Sequence, residues 1–321
     1  MKYTCYQIKS DRFIEPASPE PLSVSWFEDE THRWLDVEGA KPDELRQLLE
    51  PLRLHPLILE GCTEPGPNSP VAAHEKALYL QVQTVSGAGN LTVTPLSLLC
   101  LPTTLITIHV DPIPGLGDIA VNLTGHVRLN SASSSALLYR VLDHSIDRLV
   151  PEYINVSRKI DQLAINLDED PDSIAIDDIL PMKQIMAQFS SIIENHLYCV
   201  SALNGVDSEA IRIGEQREYF RNLSGRLELG RSAVQRMESR VQGLHQHCLL
   251  ALQEKTNNRL KILTILSAIF LPSTLVAGIF GMNFENIPAL KMEYGYFVAL
   301  AVMVGLVVGQ LCYFYFRGWF K

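Results

Sequence analysis

The sequence predicts an α/β cytoplasmic domain, a long helical stalk and two C-terminal transmembrane helices. Three observations predict it. Two runs of 23 residues without a charge, 262–284 and 294–316, stand close together near the C-terminus. Within the first 130 residues, short alternating apolar segments are separated by helical and Pro/Gly-rich stretches. Between these regions, Leu223, Leu227, Gly230, Val234, Met237, Val241, Leu244, Cys248 and Ala251 repeat at spacings of four and three, the seam of a helix packed along its length.

Taken in order, residues 1–130 read as the α/β domain. "RWLDVEG" and "ALYLQVQTV" are strands, and "LSLLCLPTTLITIHV" is two buried strands around Pro102. "KPDELRQLLEPLRLHP" is a helix with acids near its start, and "GCTEPGPNSP" is a loop. Residues 131–206 form an antiparallel helical hairpin. Its first arm is one long helix kinked at Pro151, the acidic stretch "DEDPDSIAIDD" is the turn, and the return arm covers roughly 179–203 before an Asn204-Gly205 turn. Residues 207–261 are the stalk, although Gly225, Gly230 and Gly243 weaken it locally.

The charge-free runs follow as a first span (262–284), an external loop (285–293) and a second span (294–316), with 317–321 as a tail. At about 1.5 Å per residue, roughly 20 apolar residues cross a ~30 Å hydrocarbon core. "MKYTCYQIKSDRF" contains no apolar signal region, so the N-terminal portion is expected in the cytoplasm. Arg259 and Lys261 precede the first span and Arg317 and Lys321 follow the second, while the loop holds only Lys291. The bias of positive charge towards the inside then puts both termini of this multi-pass chain in the cytoplasm and the nine-residue loop outside. Tyr294, Tyr296, Tyr313, Tyr315 and Trp319 sit where an aromatic belt would.

Charge narrows the function. Residues 1–206 hold 27 acids against 14 bases, whereas 207–261 hold seven against ten. An acidic cytoplasmic domain argues against nucleic-acid binding and is compatible with attracting cations. The six cysteines are isolated in sequence, which suits a reducing compartment and provides no zinc-finger framework. "SGAGN" (86–90) lacks the strand and helix that a dinucleotide loop needs and reads as a hairpin turn. No P-loop, HExxH or GxSxG occurs, so neither an enzyme nor a bound cofactor is expected.

Two features could carry chemistry. On the first span, Leu260, Thr264, Ser267, Leu271, Thr274 and Gly278 share one face. Small and hydroxyl residues there serve either close helix packing or a water-lined path, and spacing leaves both open. The run ends at Gly281-Met282-Asn283. Several copies around an axis would form a ring of neutral amide oxygens, able to hydrogen-bond the water shell of a hydrated cation without stripping it. The second feature is "HQHC": His245 and Cys248 fall at i,i+3, with His247 between them, a partial zinc ligand set that a neighbouring subunit could complete. The bland alternative is a solvated histidine beside a cysteine of the seam.

At these residues the chain resembles the CorA family of divalent-cation channels and transporters. Gly281-Met282-Asn283 followed by Phe284-Glu285 is similar to that family's signature, at the end of the first of two C-terminal spans. "WLDVEG", "LHPLILE", "LITIH", "LLYRVLDHSIDRLVP", "YFRN" and "KTNNRLKILTILSAIFLPSTLVAGIFGMNFENIPAL" resemble family segments in the same order. The resemblance implies a homopentamer in the lipid bilayer, with a funnel-shaped domain, stalk helices converging on a central pore and the second span outside the ring. It implies Leu260, Leu263, Leu271, Thr274 and Asn283 as pore-lining, with Leu260 and Leu263 as apolar constrictions that gate by dewetting.

Three departures are visible. The position at which the magnesium branch has a regulatory aspartate is Asn222, and its partner, near Ser86, is not acidic. Pro288-Ala289-Leu290 lacks the family's usual glutamate, leaving Glu285 and Glu293 as the loop's acids for attracting cations. The stalk's usual pore-facing aspartate is Gln246, and the basic tail is reduced to Arg317 and Lys321. The leading expectation is a pentameric inner-membrane channel or carrier for a hydrated divalent cation, Mg²⁺ first among them. The alternatives are zinc, nickel or cobalt transport in a ZntB-like branch, and a non-conducting membrane-anchored scaffold or sensor.

Overall fold

The computed structural model describes residues 1–18, 21–66, 70–86, 91–170, 176–205, 210–211, 214–282 and 293–319. They form two compact units, Met1–Leu244 and His245–Lys321.

The first unit is built on a seven-stranded sheet: β1 (Lys2–Ile8), β2 (Ile14–Ala17), β3 (Arg33–Glu38), β4 (Val71–His74), β5 (Ala77–Ser86), β6 (Thr92–Cys100) and β7 (Thr104–His109). Their order is β2-β1-β3-β7-β6-β5-β4, antiparallel except for the central β3–β7 pair. Three of the predicted strands are β3, β5 and β7, and β6 extends the fourth upstream to Thr92. The pairing Ser86↔Thr92 makes β5 and β6 a hairpin around "SGAGN", of which 87–90 lie outside the described residues.

One face of the sheet is covered by α1 (Pro42–Leu49) and α2 (Pro56–Thr63). Leu45, Leu49, Ile58 and Cys62 are buried with Leu35, Val37, Tyr79, Leu99 and Ile106. The predicted single helix over 41–56 therefore stops at Leu49. Pro51 continues only a short 3-10 turn, Arg53 adopts a left-handed conformation, and a new helix opens with Pro56 at its first position. That second helix takes in Gly61, Cys62 and Thr63, the start of the stretch whose Pro and Gly content predicts a loop. Gly61 is needed there, because a Cβ at this position would lie 2.7 Å from the ring of Tyr79, which is wholly buried. Gly61→Ala is expected to cost about 1–3 kcal/mol through overpacking, read by denaturant titration, and a smaller ring partner at Tyr79 should recover part of it.

The other face carries α3 (Pro114–Gly125) and α4 (Ser134–Asp147). Ser133 caps α4, its hydroxyl accepting from the Ala136 N–H at 3.2 Å. The expected kink at Pro151 becomes a break at Arg148, between α4 and α5 (Leu149–Glu169). The cause is still Pro151: it has no N–H to give the Asp147 carbonyl, so α4 ends there and the proline falls in the first turn of α5. The return arm is α6 (Ile176–Gly205), which absorbs Asn204 and Gly205. It also closes the sheet where the four-residue β4 leaves β5 uncovered. Asn195 accepts from the Gln83 N–H (3.1 Å) and donates to the Gln81 carbonyl (3.0 Å).

Helix α7 runs without interruption from Arg217 to Phe280, 64 residues. Within the first unit its seam residues Leu223, Leu227, Val234, Met237 and Val241 are buried. They face the chain's own hairpin. Arg226 pairs with Asp143 and Asp147 of α4, Arg240 with Asp161 of α5 (2.6 Å), and the Tyr153 hydroxyl donates to the Ala233 carbonyl (3.2 Å). Gly230 lets Ile193 of α6 approach. The seam predicted from sequence is thus satisfied in part inside one chain. The last helix is α8 (Gly295–Phe316).

Candidate ion pathway on the first span

In the second unit the C-terminal part of α7 and all of α8 are long and apolar enough to cross a membrane, each with a mean hydropathy of 2.2 over its best window. Their facing surfaces can be read residue by residue. On α8, Ala299, Met303, Val307, Gln310 and Phe314 recur at helical spacing and are the least exposed residues of that helix after its first. On α7 the sheltered residues include Ile265, Ile269, Pro272, Ser273 and Val276. Ile269 and Ser273 share a groove with Met303 and Val307. The side of α7 turned to α8 is therefore the Ile265–Ile269–Val276 side.

The predicted stripe lies on the opposite side. At about 100° per residue, Leu260, Thr264, Ser267, Leu271, Thr274 and Gly278, together with Leu263 that the resemblance adds, fall within roughly 60° of one line along the helix. All seven are exposed, Leu271 at 68%. Ser267, Leu271, Thr274, Gly278 and Met282 line one shallow groove down this face. Thr264 and Thr274 donate their hydroxyl protons to the Leu260 and Phe270 carbonyls, both at 2.8 Å. With the proton bound inward, each oxygen keeps acceptor capacity outward. A hydrated cation presents water hydrogens to its surroundings, so outward acceptors on an uncharged wall suit it.

Gly281 follows the last helical residue. Its N–H donates to the Ala277 (2.9 Å) and Gly278 (3.2 Å) carbonyls, and the Met282 N–H to the Ile279 carbonyl (3.3 Å). A Cβ on Gly281 would sit 3.3 Å from the Ala277 oxygen, so a side chain there crowds the helix terminus. Asn283 and Glu285 lie outside the described residues, and Glu293 is exposed. Asn222 is exposed on α7. In the "HQHC" cluster Cys248 is buried, His245 half-buried and His247 exposed. The described residues contain no group of three His, Cys, Asp or Glu side chains placed to hold a metal. What sequence reasoning missed is the packed stripe of α8, whose small and branched residues carry no contrast with the rest of an apolar span.

The fold and this pair of helices define a membrane protein with an α/β domain, a continuous helix leading into its first span and a second span beside it. Residues 29–317 match the family described as CorA-like Mg²⁺ transporter protein. The chain belongs to that family, and so to the divalent-cation transporters of the inner membrane rather than to the enzymes. Among its relatives is the cobalt/magnesium transport protein CorA of Thermotoga maritima, 26% identical over 96% of this chain and 90% of that one. The CorA magnesium transporter of Methanocaldococcus jannaschii shares the fold over 99% of both chains, at a TM-score of 0.80 and 18% identity. The ZntB cytoplasmic domain of Vibrio parahaemolyticus matches 80% of this chain and 97% of its own, at a TM-score of 0.57 and 12% identity.

Proposed function

We propose that five copies of this chain assemble into an inner-membrane channel for a hydrated divalent cation, Mg²⁺ first among them. The first spans surround the axis, the second spans stand outside, and both termini are cytoplasmic. The observation that carries this reading is the orientation of α7: the hydroxyl- and glycine-bearing face from Leu260 to Met282 points away from the chain's own α8. In a single chain that face has nothing to line. Around an axis it becomes a wall, apolar at Leu260, Leu263 and Leu271 and oxygen-bearing at Thr274. Asn283, directly after Gly281-Met282, would supply the amide ring at the outer mouth, with Glu285 and Glu293 raising local cation concentration. Asn222 in place of an acid supports regulation other than by Mg²⁺ held at that position.

A zinc (or nickel or cobalt) carrier of the ZntB-like branch is the second reading. The likeness to the Vibrio domain and the His245/His247/Cys248 cluster favour it. The burial of Cys248, within the seam, weighs against a ligand role. Flux into proteoliposomes, comparing Mg²⁺, Zn²⁺, Ni²⁺ and Co²⁺ with and without a pH gradient, separates the readings. Mg²⁺ entry that needs no proton gradient is the expected result. Zn²⁺ entry that follows the gradient and is lost in His245→Ala would replace the magnesium reading, and absence of flux for every ion would leave a non-conducting scaffold.

A further inference from the structure

The end of α8 builds a pocket that ion passage does not use. Arg317 closes the helix and Gly318 adopts a left-handed φ of +74°. The Gly318 N–H donates to the Tyr315 carbonyl and the Trp319 N–H to the Phe314 carbonyl, both at 3.1 Å. This pair of bonds reverses a helix terminus and brings the residue after the glycine back against the last turn. Here that residue is Trp319, its ring 5.1 Å from that of Phe314. Folded back, Trp319 lines an open groove of about 520 Å³ whose other walls include Asn258, Lys261, Ile265 and Ile269 of α7 and Leu311 of α8.

The groove is polar at one end and aliphatic at the other. Ile265 and Ile269 lie one and two turns further into the span than Lys261. From Lys261 to Phe280 the helix rises roughly 28 Å, close to a ~30 Å hydrocarbon core, so the Lys261 ammonium stands at headgroup depth. Arg259 and Arg317 flank the same end. A cation at phosphate depth above an aliphatic channel at acyl-chain depth, with a tryptophan at the boundary, complements one kind of molecule. We propose that this pocket binds an anionic glycerophospholipid of the leaflet at which α7 enters. The phosphodiester lies on Lys261 and Asn258, and one acyl chain lies along Ile265, Ile269 and Leu311. The inference rests on the two helices crossing a membrane and not on which ion passes.

Fluorescence tests it without any flux measurement. The chain has three tryptophans, and Trp26 and Trp34 are buried in the α/β domain, so a quencher on an acyl chain reaches Trp319. The full-length protein is reconstituted in phosphatidylcholine with a minor fraction of acyl-brominated lipid, either phosphatidylglycerol or phosphatidylcholine. Brominated phosphatidylglycerol should quench as if enriched roughly fivefold around Trp319, the preference expected for one lysine at an anionic lipid. Lys261→Gln should erase the preference and Lys261→Arg should keep it, with assembly of both variants checked by size exclusion. Soluble glycerol phosphate should leave it unchanged. Equal quenching by the two lipids, as when a second copy's side chains fill the groove, would overturn the proposal. So would a preference that survives Lys261→Gln, or one that glycerol phosphate abolishes.

Discussion

Asn283→Ala is expected to reduce divalent-cation uptake by proteoliposomes to the level of protein-free vesicles, while the assembly elutes unchanged on size exclusion. In the proposed pore the amide oxygen is a neutral acceptor, which would hold the water shell of an entering ion and then let the ion go. Alanine removes that acceptor and leaves an apolar mouth, where a dehydration barrier replaces a binding step. Asn283→Asp tests the other side of the balance. A ring of carboxylates should bind the ion more tightly and slow its release, lowering the maximal rate while lowering the concentration for half-maximal uptake. Thr274→Val, which keeps the shape and removes the outward oxygen, should give a partial loss. Uptake by Asn283→Ala at the unsubstituted rate would remove Asn283 from the pathway, and the amide ring with it.

The second large effect is on stability. His196 of α6 is completely buried, with Nδ1 at 3.0 Å from the Ile192 carbonyl and Nε2 without a partner. Burial pushes its pKa down to about 4, although the bond to Ile192 opposes this. A histidine with a lowered folded pKa stays neutral in the folded state while the unfolded chain takes up a proton below its ordinary value near 6.5. Its contribution is therefore intact above about pH 6.5 and is lost as pH falls towards 4, by about 3 kcal/mol in all. His196→Leu should flatten that part of the profile when the full-length protein is titrated with denaturant across this range. An unchanged slope in the variant would show that the ring is not buried in its neutral form.

His109, at the end of β7, has the opposite sign. Burial alone would lower its pKa, but the hydrogen bond and charge of Asp36, 3.2 Å from Nε2, outweigh burial and hold it above the ordinary value. That pair contributes fully below the unfolded pKa and fades as pH rises through the folded one. The His196 profile is therefore best read as the difference between variant and parent.

The strands, the helical hairpin and the apolar spans were legible because each rests on local periodicity. "RWLDVE" alternates because β3 has two distinct faces, and Leu223 to Val241 repeat at four and three because one side of α7 is covered. Helix boundaries were less so. The break at Arg148 depends on a carbonyl one turn before Pro151, and the apolar spacing of 41–56 runs across Pro51, where the chain leaves one helix and starts another at Pro56. His196 gave no signal at all, since an isolated histidine on a helix reads the same whether it faces water or the core.

By itself the sequence determined which two segments are long and apolar enough to cross a membrane, and the hydroxyl stripe that marks one side of the first, because these follow from hydropathy and helical spacing along a single chain. Only the tertiary structure decided that α8 lies against the opposite side of α7, that the stalk seam is partly covered by the chain's own hairpin, and that Gly318 turns Trp319 back towards Lys261. Those facts depend on which surfaces meet across long stretches of sequence, and spacing within one helix says nothing about its neighbour.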